Sequence, residues 1–85
     1  MFLVGYSRQA EKFLKSADKM LAKRLLSKIE ELIKNPIEHD SKSVEGYTEK
    51  LFRVRVGDYR ILYEVDYENN LIGIVKIDKR SRIYE

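Results

Sequence analysis

The stretch LFRVRVGDYRILYEV, Leu51–Val65, alternates apolar with basic or polar side chains on either side of Gly57-Asp58. Alternation at period two marks a strand with one buried face. Gly in the first place of a two-residue connection suits a type II′ turn, so the stretch predicts a β-hairpin. Folded on that turn, Val56 pairs with Tyr59, Val54 with Ile61 and Phe52 with Tyr63, which makes an apolar face. The opposite face pairs Arg55 with Arg60 and Arg53 with Leu62. Like charges directly opposite one another in a sheet are destabilising. Two guanidinium groups side by side therefore ask for a reason outside the fold.

Working outward, the strand that opens at Tyr59 is expected to run to Tyr67, and a further apolar run, Leu71–Asp78, reads as its partner. Glu68-Asn69-Asn70 joins them as a three-residue loop, since Asn tolerates the left-handed conformation such a loop needs. That loop pairs Tyr67 with Leu71, Tyr63 with Val75 and Ile61 with Ile77, and sends Lys76, Asp78 and Arg80 to the basic face. A two-residue Asn69-Asn70 loop would instead drive Lys76 and Arg80 into the core.

Upstream, Phe2–Tyr6 reads as a short strand. Ser7 offers an N-cap, followed by Ala10, Phe13, Leu14 and Ala17 at helical spacing. Asp18 caps a second helix with Leu21, Leu25, Ile29, Leu32 and Ile33 on one stripe, and Asn35-Pro36 stops it. The expected helices span about 7–16 and 18–34. Pro36–Lys50 is a polar loop with Gly46 and the single His. The order β-α-α-β-β-β predicts an α+β fold over 1–85, one domain with a helix hairpin on one face of a small, largely antiparallel sheet.

Composition bounds the function. The chain has 85 residues, no Cys, 36% charged residues and net charge +3. A domain this size buries roughly 60–65% of its unfolded surface, enough for one core. The lack of Cys fits a reducing compartment, no apolar run approaches the ~20 residues of a membrane span, and no signal peptide is expected. A cytoplasmic location follows as an expectation. Arg8 and Arg24 precede the hairpin; Arg53, Arg55, Arg60, Arg80 and Arg82 crowd the second half.

Arg53, Arg55, Arg60 and Arg80 on one face form a cationic patch whose natural occupant is a polyanion, with Asp78 available to neutralise part of it. Arg suits planar, bidentate phosphate contacts better than Lys. The alternative is a set of solvated edge charges and rim ion pairs. No metal constellation or Gly-rich phosphate loop is present in the sequence, and no cofactor is expected. His39 could act as an acid–base in its loop, but an exposed loop residue is the plainer reading, and so for Glu45. Tyr59, Tyr63 and Tyr67 share a face and read as core and sheet edge. Lys12, Lys15, Lys19 and Lys23 read as a solvated helix face, with contact to RNA as the alternative.

The YRILYEV element, its upstream basic-apolar-basic strand and the ending IVKIDKRSRIYE resemble the RelE/ParE superfamily of toxins from type II toxin–antitoxin systems, over nearly the whole chain. The basic tail resembles the RelE branch. That resemblance implies a RelE-like, microbial-RNase-like fold and a metal-independent endoribonuclease that cuts messenger RNA in the ribosomal A site. It also implies a RelB-like antitoxin partner. By position, Arg53 and Arg55 match the family's two basic residues on that strand and Arg60 the Arg of the YR element. Arg80 and Tyr84 match the Arg and Tyr of the tail, with Arg82 beside them and Lys76 and Lys79 expected to touch RNA. Family members often carry Lys where this chain has Arg53 and Arg55, and the spacing from Arg80 to Tyr84 is shorter here.

Metal-free cleavage needs a base for the 2′-OH proton, charge stabilisation at the phosphorane and an acid for the leaving 5′-oxygen. Arginines suit the stabilising part. They suit proton transfer poorly, because their pKa lies above about 12. Tyr84 is suited to stacking on a base or orienting the nucleophile. The sequence identifies no general base. Two other readings stay open at this stage: a ParE-like gyrase inhibitor and a non-catalytic RNA-binding module.

Overall fold

A computed structural model describes residues 1–36, 42–43 and 51–84. Its elements are β1 (Leu3–Tyr6), α1 (Arg8–Ser16), α2 (Lys19–Lys34), β2 (Lys42–Ser43), β3 (Leu51–Val56), β4 (Tyr59–Asp66) and β5 (Leu71–Lys79). The sheet order is β1-β5-β4-β3-β2, with β1 parallel to β5 and the remaining pairs antiparallel. The expected α+β architecture is present, and the short β2 is an addition within the stretch read as loop. His39 and Glu45 lie outside the described residues.

Both helices start where their caps predict. Ser7 Oγ accepts from the Ala10 amide at 3.1 Å and an Asp18 carboxylate oxygen from the Leu21 amide at 2.9 Å, each satisfying a donor that the first turn leaves unpaired. The apolar stripes of α1 and α2 then bury Ala10, Leu25, Ile29 and Leu32 against Val54, Ile61, Tyr63, Ile72, Ile74 and Ile77 of the sheet. Each large side chain sealed in this way contributes about 1.5–3 kcal/mol. Tyr63 is wholly buried, stacks on Phe52 and donates its hydroxyl to the Pro36 carbonyl at 2.6 Å, so its polar end is satisfied. Tyr59 is half-buried against Phe13, and Tyr67 lies past the end of β4, exposed, with its ring edge-on to Phe2.

The β3–β4 hairpin has the expected register throughout, Val56 opposite Tyr59 and Arg55 opposite Arg60. Gly57 takes φ +58° while Asp58 stays out of the left-handed region, as a type II′ turn requires.

The last hairpin corrects the expected register. β4 ends at Asp66, which pairs with Leu71 across a four-residue connection, 67–70. Tyr63 pairs with Ile74 in place of Val75, whereas Ile61 pairs with Ile77 as expected. The register shift between Leu62 and Tyr63 leaves Val75 as an extra residue, a β-bulge. Burial explains it. Ile72, Ile74 and Ile77 are all buried while Leu71 and Val75 are exposed, and strict alternation cannot place 72, 74 and 77 on one face. Asn70, with φ +51°, supplies the left-handed residue the connection needs.

Beyond Ile74, β5 has no neighbouring strand on its outer side among the described residues, because β1 ends at Tyr6. Side chains at the start of α1 take over. Ser7 Oγ donates to the Val75 carbonyl at 2.6 Å. The Gln9 side-chain amide donates to the Ile77 carbonyl at 2.7 Å and accepts from the Ile77 amide at 2.9 Å. One glutamine thus supplies both hydrogen bonds of a missing strand residue.

Candidate functional site

The face of the sheet turned away from the helices carries Leu51, Arg53 and Arg55 from β3, Arg60, Leu62, Glu64 and Asp66 from β4, and Lys76 and Asp78 from β5. This follows from the register, which sets Arg55 opposite Arg60, Leu62 opposite Arg53 and Lys76, and Asp78 opposite Arg60. The sequence-expected arginines therefore do converge. Arg60 is 8% exposed and sits within electrostatic reach of Arg55, Arg80, Arg53 and Tyr84. Its guanidinium is pushed below its ordinary basicity, first by burial and then by the three neighbouring arginines. Both of its hydrogen bonds use Nη1, to the carbonyls of Gly57 at 3.2 Å and Tyr59 at 3.0 Å. One end of the side chain braces the turn.

Among the described residues no carboxylate forms an ion pair with these arginines. The ion pairs among the described residues, Lys15–Glu11 and Lys28–Glu31, are both on the helices. Asp78, expected to neutralise part of the patch, accepts from the Lys79 amide at 2.7 Å and makes no ion pair with the arginines. The group of arginines is thus held against its own repulsion, and an anion bound there would relieve it.

The C-terminal tail completes the site. The Arg80 amide donates to the Asp58 carbonyl at 2.8 Å, tying the tail to the β3–β4 turn. Ile83 is 2% exposed and forms a small apolar cluster with Leu51 and Leu62 on the open face. Arg82 and Tyr84 flank that anchor and stay exposed. Arg53 Nη1 donates to the Tyr84 hydroxyl at 3.3 Å, so the phenol is carried to the arginines despite the shorter spacing. Lys76 Nζ reaches the Arg82 carbonyl at 3.4 Å. Lys79 differs: it pairs with Tyr59, in the helix-side row, and the register does not bring it among the arginines.

Sequence reasoning assigned charge to this face and missed its apolar clasp. The signal was Leu62 opposite Arg53, an apolar residue on a face otherwise read as cationic, and Ile83 as the one aliphatic residue in the tail KRSRIYE. Chemically, the site offers several fixed guanidinium groups and one phenol beside them. It can hold a phosphate and stabilise charge developing on it. None of these groups is an evident proton acceptor, and no group of His and acidic side chains suited to a metal ion occurs among the described residues.

Comparison with known proteins is consistent across sequence and structure. A family model described as the ParE toxin of type II toxin–antitoxin system, parDE, matches residues 4–84. A Methanocaldococcus jannaschii protein named as a toxin, RelE1, is 32% identical, covering 99% of this chain and 96% of that protein. The RelE–RelB complex of Pyrococcus horikoshii contains a chain that is 32% identical with a TM-score of 0.82, covering 95% of this chain and 97% of its own. The Escherichia coli RelBE complex contains one with a TM-score of 0.83 at 18% identity, covering 96% and 100%, a likeness of fold alone.

Proposed function

The chain belongs to the RelE/ParE superfamily of toxins from type II toxin–antitoxin systems, and from that premise we propose that it is a ribosome-dependent endoribonuclease acting on messenger RNA in the A site, held inactive by a RelB-like antitoxin. The observation that carries the reading is the convergence of Arg53, Arg55, Arg60 and Arg80 with Tyr84 on one open face, without an ion pair to any of the arginines among the described residues. A gyrase-directed toxin has no catalytic need for that arrangement.

In the proposed reaction the 2′-hydroxyl gives its proton to water as its oxygen attacks the adjacent phosphorus, the bond to the 5′-oxygen breaks, water returns a proton to that oxygen, and the products are a 2′,3′-cyclic phosphate and a 5′-hydroxyl. Arg60, Arg55 and Arg80 stabilise the extra charge on the phosphorane oxygens. Arg53 orients Tyr84, which stacks on a base or holds the nucleophile in line. The arginines stay protonated throughout, so the chain supplies orientation and electrostatics while the ribosome-bound message supplies the conformation. The RelB-like antitoxin is proposed because the relatives of similar sequence include a RelE solved with its RelB.

Primer extension on messenger RNA from a translation extract tests the reading, with the wild-type chain beside Arg80→Ala. Cleavages in frame with codons, lost in the variant, are expected. The family model that matches the chain carries the ParE name, which favours gyrase inhibition as the second reading. Growth arrest with intact message would select it.

A further inference from the structure

A second cationic surface lies around the corner from the arginine face. A groove of about 470 Å³ runs between α2 and the β3–β4 turn, lined by Lys23, Arg24, Ser27, Lys28 and Glu31 on one side and Arg55, Val56 and Gly57 on the other. Four cations line it against one carboxylate, and that carboxylate is engaged by Lys28 at 3.3 Å. Arg24 is placed with care: a Cβ on Gly57 would stand 2.7 Å from its Nη2, so the guanidinium lies over the bare turn. Arg55 belongs to both surfaces, since it lines the groove and stands opposite Arg60 on the open face.

We propose that this groove binds the phosphodiester backbone of the substrate strand next to the scissile phosphate, with Arg24 as its principal contact and Lys23 in support. The inference deepens the nuclease reading and rests on it. A chain laid across the arginine face must leave it at an edge, and the turn is the edge where cationic charge continues without a break. A guanidinium fork matches the phosphate oxygens there, and Ser27 adds a hydroxyl donor. The turn is narrow because Gly57 carries no side chain, so a strand can pass from one surface to the other.

Fluorescence anisotropy with 2′-O-methyl RNA tests this, because blocking the attacking hydroxyl prevents cleavage. The probes are a trinucleotide, which spans the arginine face alone, and a dodecamer, which also reaches the groove. The variants are Arg24→Gln and the charge reversal Lys23→Glu/Arg24→Glu, checked for folding by circular dichroism, with Arg24→Gln carrying the test should the reversal not fold. For the reversal, dodecamer affinity is expected to fall at least tenfold and the slope of log affinity against log salt to drop by about 1.4, about 0.7 for each lost phosphate contact. Trinucleotide affinity should stay within twofold. Equal losses on both lengths, or none on either, would overturn the groove. So would a wild-type chain that binds neither probe, and in that case primer extension still decides the nuclease reading separately. A defect seen only on ribosomes, with normal dodecamer binding, would assign the groove to ribosomal RNA and overturn the substrate-strand proposal.

Discussion

The two ends of the open face handle charge in opposite ways. At the connection after β4, Asp66 accepts from the Asn69 side-chain amide at 2.7 Å and from the Asn69 backbone amide at 3.2 Å. These hydrogen bonds hold its carboxyl below the usual carboxylate range, so the charged form is the one its own turn favours. At the other end Arg60 is pushed the other way, toward losing its charge, by burial and by Arg55, Arg80 and Arg53. The first charge is complete within the fold. The second is held at a cost to the fold and becomes favourable once an anion arrives. An ionic group that a protein maintains against its surroundings is a better guide to function than one it satisfies.

Replacing Arg60 tests that contrast hardest. Arg60→Leu should cut message cleavage by about 10²–10³-fold, the range for losing one fixed donor at a developing oxyanion. Its stability in a urea melt should stay within about 1 kcal/mol of wild type, because relief of a crowded, buried charge offsets two lost hydrogen bonds. A loss above about 3 kcal/mol would make Arg60 a turn brace first. Ile83→Ala comes next. It should cost about 2 kcal/mol, the low end for such a truncation because the tail can settle, yet reduce cleavage about tenfold by freeing Tyr84 and Arg82. The control is Ile61→Ala in the main core, expected near 4 kcal/mol.

Tyr84→Phe is smaller. Losing the hydroxyl that accepts from Arg53 should slow cleavage about threefold to tenfold, the worth of one hydrogen bond, and leave the melt unchanged. Equal rates would limit Tyr84 to stacking. Smallest is Asn69→Ala. Because the folded state depresses the Asp66 pKa, its stabilisation is present above the unfolded value of about 3.9 and lost as pH falls through the folded value. Removing Asn69 should raise the Asp66 titration seen by NMR toward the ordinary carboxylate range. An unmoved titration would mean that the Asn69 side chain is not the cause, because alanine keeps the backbone amide.

Much of this was readable before any coordinates. The β3–β4 hairpin declares its register because one face is apolar, the other is not, and Gly57 sets the turn. Arg53, Arg55 and Arg60 follow from that register alone, while Arg80 depends on the path of the chain after β5. β5 was harder, since Ile72, Gly73, Ile74 and Val75 leave no polar residue to mark the phase, and the bulge at Val75 shows only in which isoleucines are buried. The Ile83 anchor depends on where the tail folds back, which no local pattern encodes. Arg24 sits on a helix rich in Lys and Arg and gains meaning only from its position over Gly57.

The Gln9 bridge to Ile77 also bears on how copies of this protein behave toward one another. A sheet edge with unpaired amides and carbonyls invites a strand from another molecule and is a seed for aggregation. Beyond Ile74 that invitation is withdrawn, because Gln9 and Ser7 already occupy the groups a foreign strand would use. Among the described residues, what stays open on this side is β1, four residues long, a short template on which to build a fibre. The same glutamine that seats α1 on the sheet thus guards the colloidal stability of the chain.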